Sequence, residues 1–246
     1  MTFVSPERKR SSVAGTGIQY IPGHVDPFID VVLSHYLHPD ARVLDLGGGG
    51  LRFGLPSAAL KHPTTVVDLD ADALNVTDII RRVEENGKIA FDPDVIHRYL
   101  TTVCGDVFEY LGGVEESFDV VTAFRLLHFY DPMQVSKFFQ SVHRHMRPGS
   151  LFIFSGTTLW SLPLKQEKNV IFNNSEPVQS EFPYYRKFAD TDEARSIRQS
   201  QNLASIIHCF DIPLVQSLAK EHNFEVLMAG FPSTAIVEGY VLQRLS

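Results

Sequence analysis

Five short apolar runs lie along the first two-thirds of this chain, and most are separated by stretches with helical periodicity. They are ARVLDL (41–46), TTVVDL (64–69), TTVCGD (101–106), FDVVTAF (118–124) and LFIFSG (151–156). Their apolar character is nearly continuous instead of alternating, which marks strands buried on both faces, and strands separated by helices imply a parallel sheet with helices on each side. The first helix is expected over 26–37, with Asp26 as N-cap and Pro27 at its first position. Others are expected over 51–60, 72–86, 132–147 and 213–222, whereas 88–100 shows no period. Two last strands, FEVLMAGF (224–231) and EGYVLQRL (238–245), are close enough in sequence to form a hairpin. The expected fold is therefore α/β, a doubly wound seven-stranded sheet that is mostly parallel with an antiparallel edge hairpin. In such sheets the ligand sits at the carboxyl ends of the strands, here Asp45 to Gly50, Asp68, Asp106 and the residues from Ala123.

Composition narrows the partners. The 246 residues carry 22 Lys and Arg against 29 Asp and Glu, a formal charge of −7, which disfavours broad nucleic-acid binding. Two cysteines, Cys104 and Cys209, without CxxC spacing exclude a disulfide scaffold or a four-ligand zinc site. The polar, basic start of the chain is no secretory signal, and no apolar run approaches the ~18 residues of a membrane span. The expected setting is cytoplasmic.

The glycine run in RVLDLGGGGLRFG (42–54) carries the chemistry. Each glycine costs about 0.5–1 kcal/mol relative to Ala in a regular element, so a ligand or another part of the chain must approach this backbone closely. A phosphate-binding P-loop is excluded: the only Gly-Lys pair is Gly87-Lys88, and Arg82 stands where its first glycine belongs. The dinucleotide fingerprint GxGxxG also fails, with Arg52 or Phe53 in the third position.

DLGGGGLRF resembles the first motif of the class I S-adenosylmethionine-dependent methyltransferases, an acid, one residue and GxGxG, through Asp45, Gly47 and Gly49; Leu51 replaces the last glycine. The similarity continues in order through VVDLDADAL, VCGDVFEY, ESFDVVTAFRLLHFYD, HRHMRPGSLFIFS and LAKEHNFEVLMAG, covering about 26–156 and 208–246. It implies a Rossmann-like sheet and S-adenosylmethionine as cofactor, with S-adenosylhomocysteine as product. Asp68 would accept hydrogen bonds from the ribose hydroxyls, next to Leu69. Asp106 would accept from the adenine amino group beside the amide of Val107; its alternative role is a helix N-cap. Asp45 would order the loop of Gly47, Gly48 and Gly49. Ala123 to Arg125 would line the methionine end, unless Arg125 faces solvent. Tyr20 and His24, before the first helix, would cover the cofactor.

Methyl transfer is an in-line displacement, so alignment of the nucleophile matters most. His128, after the fourth strand, is the candidate general base; a histidine packed at the rim without a catalytic role is the other reading. Residues 1–25 are expected to form a tail and cofactor-covering segment, and 26–246 one domain. Within it, 157–205 is irregular and aromatic, with Trp160, Phe172, Phe182, Tyr184, Tyr185 and Phe188. It reads as a lid or substrate-facing insertion, or as aromatics that anchor it to the core. The expected function is methylation of a small-molecule acceptor. A non-catalytic binding domain and an NAD-type oxidoreductase are the alternatives, and a homodimer is compatible with all three. DLDAD (68–72) is not a calcium loop, because Ala73 and Ile79 stand where Gly and Glu are required. The pairs His143/His145 and His35/His38 lack a third ligand, so no metal is assigned.

Overall fold

A computed structural model of the chain describes residues 26–85, 91–158, 185–187, 191–192, 195–196, 206–234 and 237–246. The helices are α1 (Pro27–His35), α2 (Gly54–Ala59), α3 (Val76–Glu85), α4 (Pro93–Tyr99), α5 (Val107–Gly113), α6 (Pro132–Arg144) and α7 (Ile212–Glu221). The strands are β1 (Val43–Leu46), β2 (Thr64–Asp68), β3 (Leu100–Cys104), β4 (Phe118–Phe124), β5 (Met146–Thr157), β6 (Tyr185–Lys187), β7 (Ile206–His208), β8 (Phe224–Thr234) and β9 (Val237–Arg244).

Seven strands form one sheet in the order β3-β2-β1-β4-β5-β9-β8. The pairs from β3 to β5 are parallel, and β9 runs antiparallel to both β5 and β8. This is the expected mixed sheet with its antiparallel hairpin at one edge. The order reverses between β1 and β4, the place where open α/β sheets leave a crevice. One face is covered by Phe28, Ile29, Val32 and Leu33 of α1 together with side chains from α2, α3 and α4. The other is covered by Val107 and Leu111 of α5, by Val135, Phe138, Phe139 and Val142 of α6, and by Val215 and Leu218 of α7.

Local chemistry sets the helix starts. The Asp26 carboxylate accepts from the Phe28 amide at 3.0 Å, with Pro27 at the first helical position. Asp131 and Gln134 form a reciprocal capping box at the start of α6. α2 begins at Gly54, later than the expected 51, because Gly50 and Leu51 hold left-handed φ of 79° and 54° and prolong the loop. The stretch 88–100, expected to be irregular, contains α4, capped by Asp92 through the amides of Asp94 and Val95. At seven residues with Ile96 as its buried residue, α4 is too short to show a period. α5 likewise has no run of apolar residues long enough to declare it. α6 ends at Arg144 instead of 147, since Met146 already pairs with Phe118 as part of β5.

Within the aromatic segment 157–205, the backbone of β6 pairs antiparallel with β7, which lies just beyond it, so that segment is not irregular throughout. The tail 1–25, with Tyr20 and His24, lies outside the described residues, as do Trp160, Phe172, Phe182, Tyr184, Phe188 and the Tyr185 side chain.

Candidate functional site

The glycine loop leaves β1 through a left-handed residue, Gly47, whose φ is 69°. Its amide donates to the Val67 carbonyl at 2.8 Å, so the loop is pinned across the end of β2. Gly50 repeats the device with a bond to the Ala73 carbonyl at 2.7 Å. Gly48 answers why glycine is required here: a Cβ would fall on Asp45 Oδ2 and lie 2.7 Å from Val66 Cγ1. Only bare backbone fits between the buried acid and the surface of the loop.

Asp68, the last residue of β2, faces this loop. Its Oδ2 accepts from the Gly49 amide at 2.8 Å and its Oδ1 from the Asp70 amide at 2.9 Å. A carboxylate has about four acceptor positions, so these bonds do not exclude a diol at the same group. Asp70 in turn accepts from the amides of Asp72 and Ala73. The DLDAD acids therefore serve a turn. Leu69 stands 56% exposed beside Asp68, an apolar surface at the strand tip.

Asp106 follows β3 and caps α5: its Oδ1 accepts from Phe108 at 2.8 Å and from Glu109 at 3.1 Å. The N-cap reading is thus correct as a description of Oδ1, and it is compatible with a ligand at Oδ2. Val107 is buried, which leaves its backbone as the part that can meet a ligand. Tyr130, absent from the expected set, belongs to this neighbourhood. Its ring lies 5.3 Å from that of Phe108, and burial, then the charges of Asp106 and Asp68, push its hydroxyl well above the usual phenol range.

Asp45 is almost wholly buried on β1. Burial pushes its carboxyl up to about 7, against the Thr122 hydroxyl, which lowers it; the Asp68 charge raises it further and a bond from the Gly54 amide lowers it. Ala123 is fully buried, so its side chain contributes to the core and its backbone to the strand tip. Arg125 has a left-handed φ of 56°, and its amide is held by the Ser155 carbonyl at 3.0 Å. Its charge acts on His128. Burial, and then that charge, lower the His128 imidazole to about 3, so the ring is neutral at physiological pH. His128 Nδ1 is buried and has no hydrogen-bond partner among the described residues. The neighbouring His208 on β7 is also lowered, to about 4, mainly by burial, while a bond to the Tyr130 backbone opposes the shift.

An open pocket adjoins the loop, lined by Ile29, Asp45, Gly47, Gly48, Gly49, Arg52, Phe53 and Phe124. The structure thus draws together Asp45, the three glycines, Asp68, Leu69, Asp106, Val107, Ala123, Arg125 and His128 at the carboxyl ends of four parallel strands. It adds Arg52, Phe53, Thr122 and Tyr130. No spacing rule singled these out: each acts through a neighbour distant in sequence.

A glycine cradle that a Cβ would fill, an acid facing it from the next strand and a capping acid on the third stand together at the carboxyl ends of the strands. Residues 44–154 match the family model described as a methyltransferase domain. This stretch, a little under half of the chain, is similar to methyltransferase domains of the S-adenosylmethionine-dependent class. S-adenosylmethionine is the cofactor of such methyltransferases. The chain is similar in fold to a methyltransferase from Methanosarcina mazei at 16% identity, over 87% of this chain and 97% of that one, with a TM-score of 0.58. A magnesium protoporphyrin IX methyltransferase from Synechocystis with bound S-adenosylhomocysteine has 14% identity, 89% and 82% coverage and a TM-score of 0.56. A glycopeptide N-methyltransferase has 15% identity, 89% and 90% coverage and a TM-score of 0.55. No curated protein matches the sequence. At such identities the likeness establishes the fold alone. Among the described residues, no helix is long and apolar enough to cross a membrane.

Proposed function

We propose that the methyltransferase transfers a methyl group to a small-molecule acceptor, with the cofactor held by Asp68, Asp106 and the glycine loop. The observation that carries this reading is the meeting of Gly49 and Asp68 at 2.8 Å, which joins the loop to the acid on the neighbouring strand. S-adenosylmethionine, when bound, supplies an electrophilic methyl on a sulfonium.

In this reading Asp68 accepts from the ribose hydroxyls and Leu69 covers one face of the adenine. Asp106 Oδ2 and the Val107 amide meet the edge of the base. Asp45 sets the loop from below, and the backbone from Ala123 to Arg125 borders the methionine chain. His128 is placed at the acceptor side after β4. A ring lowered to about 3 is a weak base, so its neutral Nδ1 serves first as a hydrogen-bond acceptor that orients the nucleophile. The proton leaves with it only when the acceptor itself is acidified on attack. On their sequence, the segment 157–205 reads as a lid or substrate-facing insertion and the tail 1–25 as a cofactor-covering segment. A small acceptor is supported by the net charge of −7, which disfavours RNA, and by the aromatic content of that segment. We place the enzyme in the cytoplasm on its sequence.

Calorimetry with S-adenosylmethionine, S-adenosylhomocysteine and NAD tests the cofactor, and transfer of labelled methyl to fractionated small-molecule extracts tests the acceptor. Binding of both sulfur ligands without NAD, and label in a low-mass fraction, are expected. Binding of NAD alone, or label only in protein or RNA, defeats the reading.

A further inference from the structure

His128 stands in a single 3-10 turn, Leu127–Phe129, between the end of β4 and the start of α6. Two backbone bonds close it, from the Phe129 amide to the Leu126 carbonyl and from the Tyr130 amide to the Leu127 carbonyl, each 3.1 Å. A lone turn of this kind is weakly bonded, so its shape depends on what grips its ends. At the first end the Leu126 side chain packs on the glycine loop, so closely that a Cβ at Gly47 would lie 2.9 Å from its Cδ1. At the other end, the first carbonyl used by α6 is that of Asp131, which accepts from Val135. The Tyr130 carbonyl therefore lies outside the helix and takes its bond from the His208 ring instead.

His208 reaches that carbonyl from a fixed place. It ends β7, which packs against the turn and pairs with β6 inside the segment 157–205. Its imidazole is 4% exposed and stacks on Phe210, with ring centroids 5.0 Å apart. Phe210 fills the space beside Gly156, where a Cβ would come 2.6 Å from its Cδ2, and its amide donates to the Thr157 carbonyl at 2.7 Å. The histidine is thus tied to β5. A ring lowered to about 4 is neutral at physiological pH, carries a single N–H, and gives it to the Tyr130 carbonyl. We propose that His208 is a positioning residue for methyl transfer: through the Tyr130 carbonyl it fixes the turn that carries His128, and so the direction in which the His128 ring meets the acceptor. This rests on the acceptor reading of His128 above. Its consequence is that the glycine loop and the segment 157–205 grip opposite ends of one turn.

The test combines hydrogen exchange of the full chain, read by mass spectrometry, with methyl transfer from labelled S-adenosylmethionine to low-mass extract fractions. His208→Phe keeps a ring on Phe210 and removes the donor, whereas His208→Gln keeps a donor of similar reach. Loss of a neutral hydrogen bond corresponds to roughly three- to tenfold. In His208→Phe the amides of Phe129 and Tyr130 should exchange at least about threefold faster, while those of β1 stay within about twofold. Transfer should fall at least about threefold, with the affinity for S-adenosylhomocysteine within about twofold of wild type. His208→Gln should bring both exchange and transfer back to within about twofold of wild type. Wild-type transfer in His208→Phe overturns the proposal. So does a Gln variant no better than Phe, or faster exchange spread evenly over the turn and β1, which marks a residue needed only for packing. If His208→Phe does not fold, the wild type decides: under rising urea the amides of Phe129, Tyr130 and β7 should open together, and separate opening overturns the proposal. A wild type that labels no low-mass fraction defeats the acceptor reading and with it the role of His208 in transfer, whereas the exchange measurements read its hold on the turn independently.

Discussion

Thr122, on β4, donates its hydroxyl hydrogen to the buried carboxylate of Asp45, on β1, at 2.8 Å. The bond crosses the two strands between which the sheet order reverses, directly beneath the glycine loop. It stabilises the ionised form of an acid that burial otherwise keeps protonated.

The pH dependence of stability follows from that acid. Its folded value, about 7, lies above its ordinary value of 3.8, so ionisation is harder in the fold than in the unfolded chain. The stability that a neutral Asp45 confers is fully present below about 3.8 and is lost as pH rises to about 7, where the loss levels off. Its size is on the order of a few kcal/mol. Asp45→Asn should flatten this part of the profile in urea unfolding from pH 4 to 8, and Thr122→Val should move the plateau to higher pH. A slope unchanged in Asp45→Asn would assign the dependence to other groups.

The glycine loop should not tolerate a methyl group at Gly48. Gly48→Ala drives a Cβ into Asp45 and Val66, so it should cost about 1–3 kcal/mol and weaken cofactor binding. Gly112, within α5, has open space around it, and Gly112→Ala should stabilise by about 0.4–1 kcal/mol. Denaturant midpoints of the two variants, expected to move in opposite directions, check both.

Asp68→Ala should weaken S-adenosylmethionine binding at least about tenfold, because charged acceptor bonds contribute about 1.5–3 kcal/mol. The loss combines direct contacts to the ribose with a looser loop, since the Gly49 amide also depends on this carboxylate. Calorimetry reads the affinity and circular dichroism the fold; a folded variant with wild-type affinity would mean the sugar is held elsewhere.

His128 should leave no inflection in the rate between pH 5 and 8, since its ring loses its proton near 3 in the folded protein. Its folded value lies below the ordinary 6.5, so its contribution to stability is present above 6.5 and is lost as pH falls toward about 3. If it takes part in proton transfer, His128→Ala lowers turnover at least about tenfold, whereas a change within about threefold leaves it a packing residue. Turnover measured with labelled cofactor across pH decides between the two.

The sequence by itself determined the sheet, its antiparallel edge and the acids at the strand tips. Those features are written in local signals: continuous apolar runs, the capping Asp26, and a glycine cluster after β1. α4 and α5 escaped because each is only seven residues long, too short for a period to emerge. The tertiary structure alone decided the environments of those acids. Burial under Gly48 and a hydroxyl 77 residues away raise Asp45 to about 7, and burial beside Arg125 lowers His128 to about 3. Likewise only folding brings Arg52 to Asp26. Desolvation and through-space charge depend on what surrounds a group in three dimensions, and the order of residues along the chain does not encode that distance directly.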